Sequence, residues 1–186
     1  MKKILISFGL LISLVTHAQK IERDYFEDNM HKIETEWEEV EDDKDERDFF
    51  VMLLATKIED TTHYYLMFQL YSYDTFNFDV GSKLLIKTMT DDILSKECVR
   101  VVPTKKQYVQ IFMVPATRYY STVSYIMSEE ELNMFINKGI KKLRFQVTGE
   151  TFEKEYKKDK IGKYLKKAKV NVDKTLAKQQ SFESDF

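Results

Sequence analysis

The feature that most narrows what this chain can fold into is the alternation from His63 to Tyr73, with the shorter apolar runs that follow it up to Leu94. Tyr64, Leu66, Phe68 and Leu70 share one parity, and Tyr65, Met67, Gln69, Tyr71 and Tyr73 share the other. A two-residue period places successive side chains on opposite faces of a strand. The first set is the expected core face. The segment from Asp74 to Asp79 has the composition of a turn and leads to Gly81, which tolerates positive φ, before the chain resumes as the apolar run Lys83 to Met89. Asp91 and Asp92 suit a tight turn ahead of Ile93 and Leu94. The expectation for this stretch is a three-stranded meander.

Residues Met1 to Ala18 have the three parts of a secretory signal. Lys2 and Lys3 precede an apolar run from Ile4 to Val15, and Thr16 and Ala18 stand at the minus-three and minus-one positions of a cut before Gln19. That run is shorter than the roughly 20 apolar residues a membrane-spanning helix needs. With no Cys near the cut, a lipid-modified N-terminus has no acceptor. A chain without an integral membrane segment after signal removal, periplasmic or secreted, is expected.

The chain has 29 basic and 31 acidic side chains, and removing the leader with Lys2 and Lys3 leaves 27 against 31. So mild a charge provides no electrostatic footprint for nucleic acid. About 168 residues remain, the size of one domain able to bury a core without staples. The single Cys98 rules out an internal disulfide framework and suits a small buried hydrophobe.

Further along, Ile33, Thr35 and Trp37 alternate with charged residues, as in a half-buried strand that places the only Trp in the core. The acidic run from Glu38 to Asp48 invites comparison with a calcium loop, since hard cations want clustered carboxylates. Counted from Asp43, however, Arg47 and Asp48 occupy the fifth and sixth positions, where such a loop needs an oxygen ligand and a glycine. A solvated loop is the better reading. Phe49 to Ile58 is apolar on both parities at its start and predicts a strand covered on both sides there. Strands are also expected at Cys98 to Val102, Tyr108 to Val114 and Tyr119 to Ile126, with Pro115 ending the second because it brings no amide donor.

Ser128 and Glu131 form the pattern of a capping box ahead of a helix carrying Leu132, Phe135 and Ile136 that stops at Gly139. A strand from Ile140 to Thr148 follows. From Thr151 to Gln180 ten lysines face four acids, and Ile161, Tyr164, Leu165, Ala168, Val172 and Leu176 recur at helical spacing. A basic amphipathic helix can lie on an anionic membrane. Gly162, Val170 and Val172 weaken an isolated helix, which favours one packed on the domain with its lysines near the acidic N-terminal third.

These elements predict a mainly β fold: an antiparallel β-sandwich with a short capped helix and a C-terminal amphipathic helix. The alternative is a closed eight-stranded β-barrel with a C-terminal helix, similar to a lipocalin but lacking its Gly-x-Trp signature. The expected organisation is a signal peptide at 1–18, a β-sandwich domain at 19–150 and a basic C-terminal helix at 151–186 packing on the domain. The order Gly81-Ser82-Lys83-Leu84-Leu85-Ile86-Lys87, then Tyr125 to Leu132, then Gly139 to Phe145 resembles a pattern in small secreted β-sandwich proteins of Gram-negative bacteria with no assigned function. The resemblance implies a signal peptide and a sandwich and brings no catalytic residues.

Beyond the leader only His31 and His63 remain, without companions at metal-ligand spacing, and there is neither a Gly-rich phosphate loop nor a nucleophile elbow. No catalytic residue, metal site or cofactor is expected. The reading is a non-enzymatic binding module for an unknown protein or cell-envelope component. A glycan-binding module is the alternative, because Tyr65, Tyr71 and Tyr73 share the face opposite the core and aromatic faces suit the apolar side of sugar rings. A hydrolase built on paired carboxylates is a third reading, since such pairs are set by separation in space rather than in sequence. N-terminal sequencing of the protein recovered from the extracytoplasmic fraction is expected to start at Gln19; a chain recovered there with Met1 intact contradicts the leader.

Overall fold

The computed structural model describes residues 20–41, 48–111 and 113–184. The expected leader and the Asp42 to Arg47 part of the acidic run lie outside the described residues. In chain order the elements are β1 (Ile21–Glu27), β2 (Met30–Thr35), β3 (Glu38–Glu39), β4 (Phe49–Ile58), β5 (Thr61–Ser72), β6 (Asn77–Phe78) and β7 (Lys83–Thr88). They continue with β8 (Ile93–Glu97), β9 (Val102–Pro103), β10 (Lys105–Ile111), β11 (Val114–Met127), α1 (Glu129–Lys138), β12 (Ile140–Val147), β13 (Glu150–Glu155) and α2 (Ile161–Ser184).

The result is a mainly β, antiparallel architecture with a short capped helix and a C-terminal helix, the class that the alternation and the capping box predict. A curled seven-stranded sheet runs β1-β2-β4-β5-β11-β10 with β3 beside β4; a second sheet runs β13-β12-β7-β8, and β6 pairs with β9. On the large sheet the register aligns Phe49 with Leu70, Val51 with Phe68, Leu53 with Leu66, and Phe68 with Val123. All of these are buried, which makes this the inner face. The second sheet closes on it through Phe145, whose ring centroid lies 5.1 Å from that of Phe68 and 5.8 Å from that of Phe49.

The meander expected from Tyr64 to Leu94 does not form. β7 and β8 do make an antiparallel hairpin whose turn has Asp91 at φ 68°, but β5 pairs with β4 and β11 in the other sheet. The reason lies in Phe76 and Phe78, which are buried and draw the connection across the core, Phe78 toward Phe145 and Phe76 toward Phe152. Three further expectations need correction. Trp37 follows the end of β2 and is half-buried rather than core. Cys98 to Arg100 is not strand, although Cys98 is buried as expected. Pro115 ends nothing: it lies near the start of β11, opposite Gln110 and before the stretch that β5 pairs, so its missing amide is tolerated at that margin.

The tail also divides differently from the expected boundary at 150. Glu150 to Glu155 is a strand of the second sheet that buries Phe152, and the helix begins at Ile161. Its stripe packs inward as predicted: Ile161, Tyr164, Leu165, Ala168 and Val172 are buried. The lysines of the tail only partly meet the acidic third: Lys160, just before the helix, donates to the Glu41 main-chain carbonyl at 2.7 Å, whereas Lys169 pairs with Glu129 and Asp173. Gly162 serves contact rather than weakness. A Cβ there would stand 2.6 Å from the Phe135 carbonyl oxygen, and Asp159 Oδ1 accepts from the amides of both Ile140 and Gly162, tying α1, β12 and α2 together.

α2 also completes the large sheet. The β2 ladder on β4 ends at Leu54 and that of β3 begins at Val51, so Leu53 between them has no strand partner on that side. Thr35 Oγ1 accepts from the Leu53 amide and donates to its carbonyl, each at 3.1 Å, and Tyr164 Oη is a second acceptor for the amide at 3.1 Å. Burial pushes the Tyr164 phenol up to about 12 from 10.0, against the lowering effect of those bonds. With the folded value raised, the contribution is complete below pH 10 and is lost as pH climbs toward 12. Tyr164→Phe is therefore expected to cost about 1–2 kcal/mol at pH 7, the order of a buried hydrogen bond. It is also expected to lose less stability than the parent between pH 10 and 12. Denaturant unfolding at pH 7 and pH 11 checks both.

Candidate functional site

The face of the large sheet opposite the core is built from the other parity of the same strands. Leu54, Tyr65 and Ile126 form one row across β4, β5 and β11; Met52, Met67 and Ser124 form the next, and Phe50, Gln69 and Thr122 the third. A fourth joins Tyr71, Tyr120 and Lys105. Most of these side chains are partly exposed, whereas the helices and the second sheet pack on the inner face through Tyr164, Leu132, Phe135 and Phe145.

At one end the rings form a cluster. Phe50 meets Tyr71 edge-on at 5.7 Å between centroids, and Tyr71 stacks on Tyr120 at 5.6 Å. The Arg118 guanidinium carbon lies 4.0 Å from the Tyr71 centroid, while its nitrogens pair with the Asp48 carboxylate and donate to Gln107 Oε1 at 3.2 Å. A cation over a phenol ring gains from the ring quadrupole. Burial raises the Tyr71 phenol above its ordinary value, and Arg118 works against that rise.

The sequence-predicted residues have three different settings. Tyr65 and Tyr71 lie on the outer face as the parity requires, each partly buried. Tyr73 lies beyond the end of β5 and is 59% exposed. Tyr71 belongs to the ring cluster, Tyr65 stands three rows away beside Ile126, and Tyr73 is in neither group. Sequence reasoning missed Phe50, Arg118 and Tyr120. A signal for two of them existed: Arg118, Tyr120 and Thr122 have the parity opposite to Ser121, Val123 and Tyr125.

The carboxylates with displaced titration are held ionised by neighbouring donors. Hydrogen bonds from Thr90, Lys138 and Thr88 bring Asp92 down to about 2, Lys87 and Lys141 lower Asp91, and Lys142 and Arg144 lower Glu153. A general acid needs the opposite shift. Among the described residues no three His, Cys, Asp or Glu side chains converge as metal ligands, and no helix is long and apolar enough to cross a membrane. Comparison with family models, curated proteins and solved structures finds no match to the chain.

A double-mutant cycle of Arg118→Met and Tyr71→Leu is expected to give a coupling of about 0.5–1 kcal/mol in unfolding free energy, the order for a partly exposed cation over a ring. Additive single effects contradict the direct contact.

Proposed function

We propose that this protein is a non-enzymatic binding module acting outside the cytoplasm, periplasmic or secreted, and that the outer face of the large sheet receives a protein partner of the cell envelope. The observation that carries the reading is the cluster of Phe50, Tyr71, Tyr120 and Arg118, continued by the partly exposed Met67 and Leu54, on a face set opposite the core. Aromatic residues, Met and Arg are the side chains enriched at the centres of protein interfaces, and here they lie together, partly exposed, on one face.

A glycan-binding reading draws on the exposed Tyr73 and the half-open Tyr65. It is the weaker of the two because Arg118 occupies the Tyr71 ring face that a sugar would use. To separate them, a photoreactive diazirine residue is placed at Met67 and, as a control, at the exposed Ile93 on the second sheet. A discrete protein adduct is expected from Met67 in cells, absent from Ile93 and lost with Phe50→Ala or Tyr120→Ala. Identical adducts from both positions, or none from Met67, overturn the outer-face reading. A polysaccharide that raises the unfolding midpoint, with the rise abolished in the Tyr65→Ala, Tyr71→Ala, Tyr73→Ala triple variant, decides for a glycan.

A further inference from the structure

We infer that the unpaired flank of β11 takes an extended, neutral peptide with alternating apolar side chains as an added strand. The inference rests on the outer-face reading and gives the partner's form. β11 is 14 residues long; β5 pairs it as far as Met127, but β10 accompanies it only to Tyr120. From Ser121 to Met127 one side of the strand has no main-chain partner among the described residues.

The chain itself explains the vacancy. β10 is shortened because the residues before it leave its line: Pro103 and Val102 pair with Asn77 and Phe78, and the Thr104 amide donates to Asn77 Oδ1 at 3.2 Å. Beside the exposed flank lies a groove of about 440 Å³, lined by Ser124, Tyr125, Ile126 and Tyr65 on one side and by Lys96, Glu97, Val99 and Arg100 on the other. Ser124 and Ile126 belong to one face of β11 and Tyr125 to the other. The groove therefore runs along this flank, where a continuation of β10 would lie, and opens onto the outer face through Tyr65, Ser124 and Ile126.

Its occupant follows from its chemistry. An open strand edge offers alternating amides and carbonyls, which another extended main chain matches residue for residue and a folded surface does not. At strand spacing of ~4.8 Å, a rise of ~3.4 Å per residue and a sheet thickness of ~10 Å, the groove holds on the order of three residues. A second copy of the chain presenting its own β11 would bring its own wall from Lys96 to Arg100 against the first, so a single strand fits where a dimer does not. Ile126 is 59% and Val99 82% exposed at the rim, which asks for apolar side chains on the incoming strand. Lys96 is tied to Glu131 at 2.6 Å, and the exposed Glu97 and Arg100 balance one another, so the groove sets no net charge on its ligand. Outward side chains of the added strand would extend the rows of Ile126 and Ser124, making edge and face one surface.

The test is selection of random decapeptides displayed on phage against the folded protein, followed by synthesis of the recovered peptide. Binding is expected to fall at least tenfold when alternate residues are N-methylated in one register and to survive methylation in the other register. It is also expected to weaken at least tenfold with Ile126→Lys, a change at an exposed position. Amide exchange within Ser121 to Met127 should slow on binding. A peptide indifferent to both methylation registers but lost with Phe50→Ala overturns strand addition and leaves the outer-face reading standing. Failure to recover any peptide, or a dimer cross-linked through β11, overturns strand addition as well.

Discussion

The contact between Phe145 and Phe68 is the one on which the remainder of the molecule depends. Phe68 is the hub of the large sheet's inner face, with Phe49 at 5.6 Å and Tyr125 at 6.2 Å between centroids. Phe145 carries the second sheet, and Phe78 leads from it toward the pair formed by Phe76 and Phe152. Each buried ring contributes about 1.5–3 kcal/mol by the area it removes from water. A surface ion pair such as Lys142 with Glu153, 2.7 Å apart, belongs to a class worth about 0–1 kcal/mol. The rings hold the sheets together, and the charges decorate the result.

That aromatic seam covers only part of the inner face, and α2 covers the part over β2 and β4. Its position is set by two kinds of contact. The stripe from Ile161 to Val172 is buried, so docking is driven by area; the hydroxyl of Tyr164, Thr35 and the main chain of Leu53 then set where along the sheet the helix rests. Asp159 and Gly162 bring α2 close to the end of α1, where Gly139 ends α1 at φ 69°. The capping box at Ser128 starts the shorter helix at the point where β11 finishes, so the longest strand and both helices are fixed relative to one another.

How much of this is legible in the sequence depends on the range of the interaction concerned. Alternation marked β5 and β12, apolar runs marked β4 and β7, and the capping box and the stripe marked the two helices, because those signals are local. Pairing is not local. The parity of Tyr64 to Tyr73 gives two faces and is silent on which strand lies alongside, so the meander was the natural reading until Phe76 and Phe78 proved to cross the core. Phe152 shows the same limit: the lysines around it mask a strand that exists because Phe145 lies opposite it. Tyr65 and Tyr71 could be assigned to the outer face from parity alone. The neighbours that turn Tyr71 into a cluster, Phe50 from β4 and Tyr120 and Arg118 from β11, come from distant parts of the chain.

Two interruptions in the ladders of the large sheet are treated differently by the fold. At Leu53 the missing strand partner is replaced from within, by a threonine hydroxyl and a tyrosine from the C-terminal helix, in a setting from which water is excluded. A buried amide without such a partner would cost about 1–3 kcal/mol, so that gap had to be closed for the domain to be stable. At Ser124 to Ile126 the flank borders a groove open to water, which can hydrate the free groups, so stability makes no comparable demand there. What stability does not require closed remains available for association. Open edges invite indiscriminate pairing, and natural sheets guard against it by covering or obstructing them. Here the segment from Lys96 to Arg100 stands across the groove and leaves room for one strand while obstructing a whole sheet. Closure at the first site and guarded openness at the second follow from the same rule, that main-chain polar groups must be satisfied, applied on the dry and wet sides of one sheet.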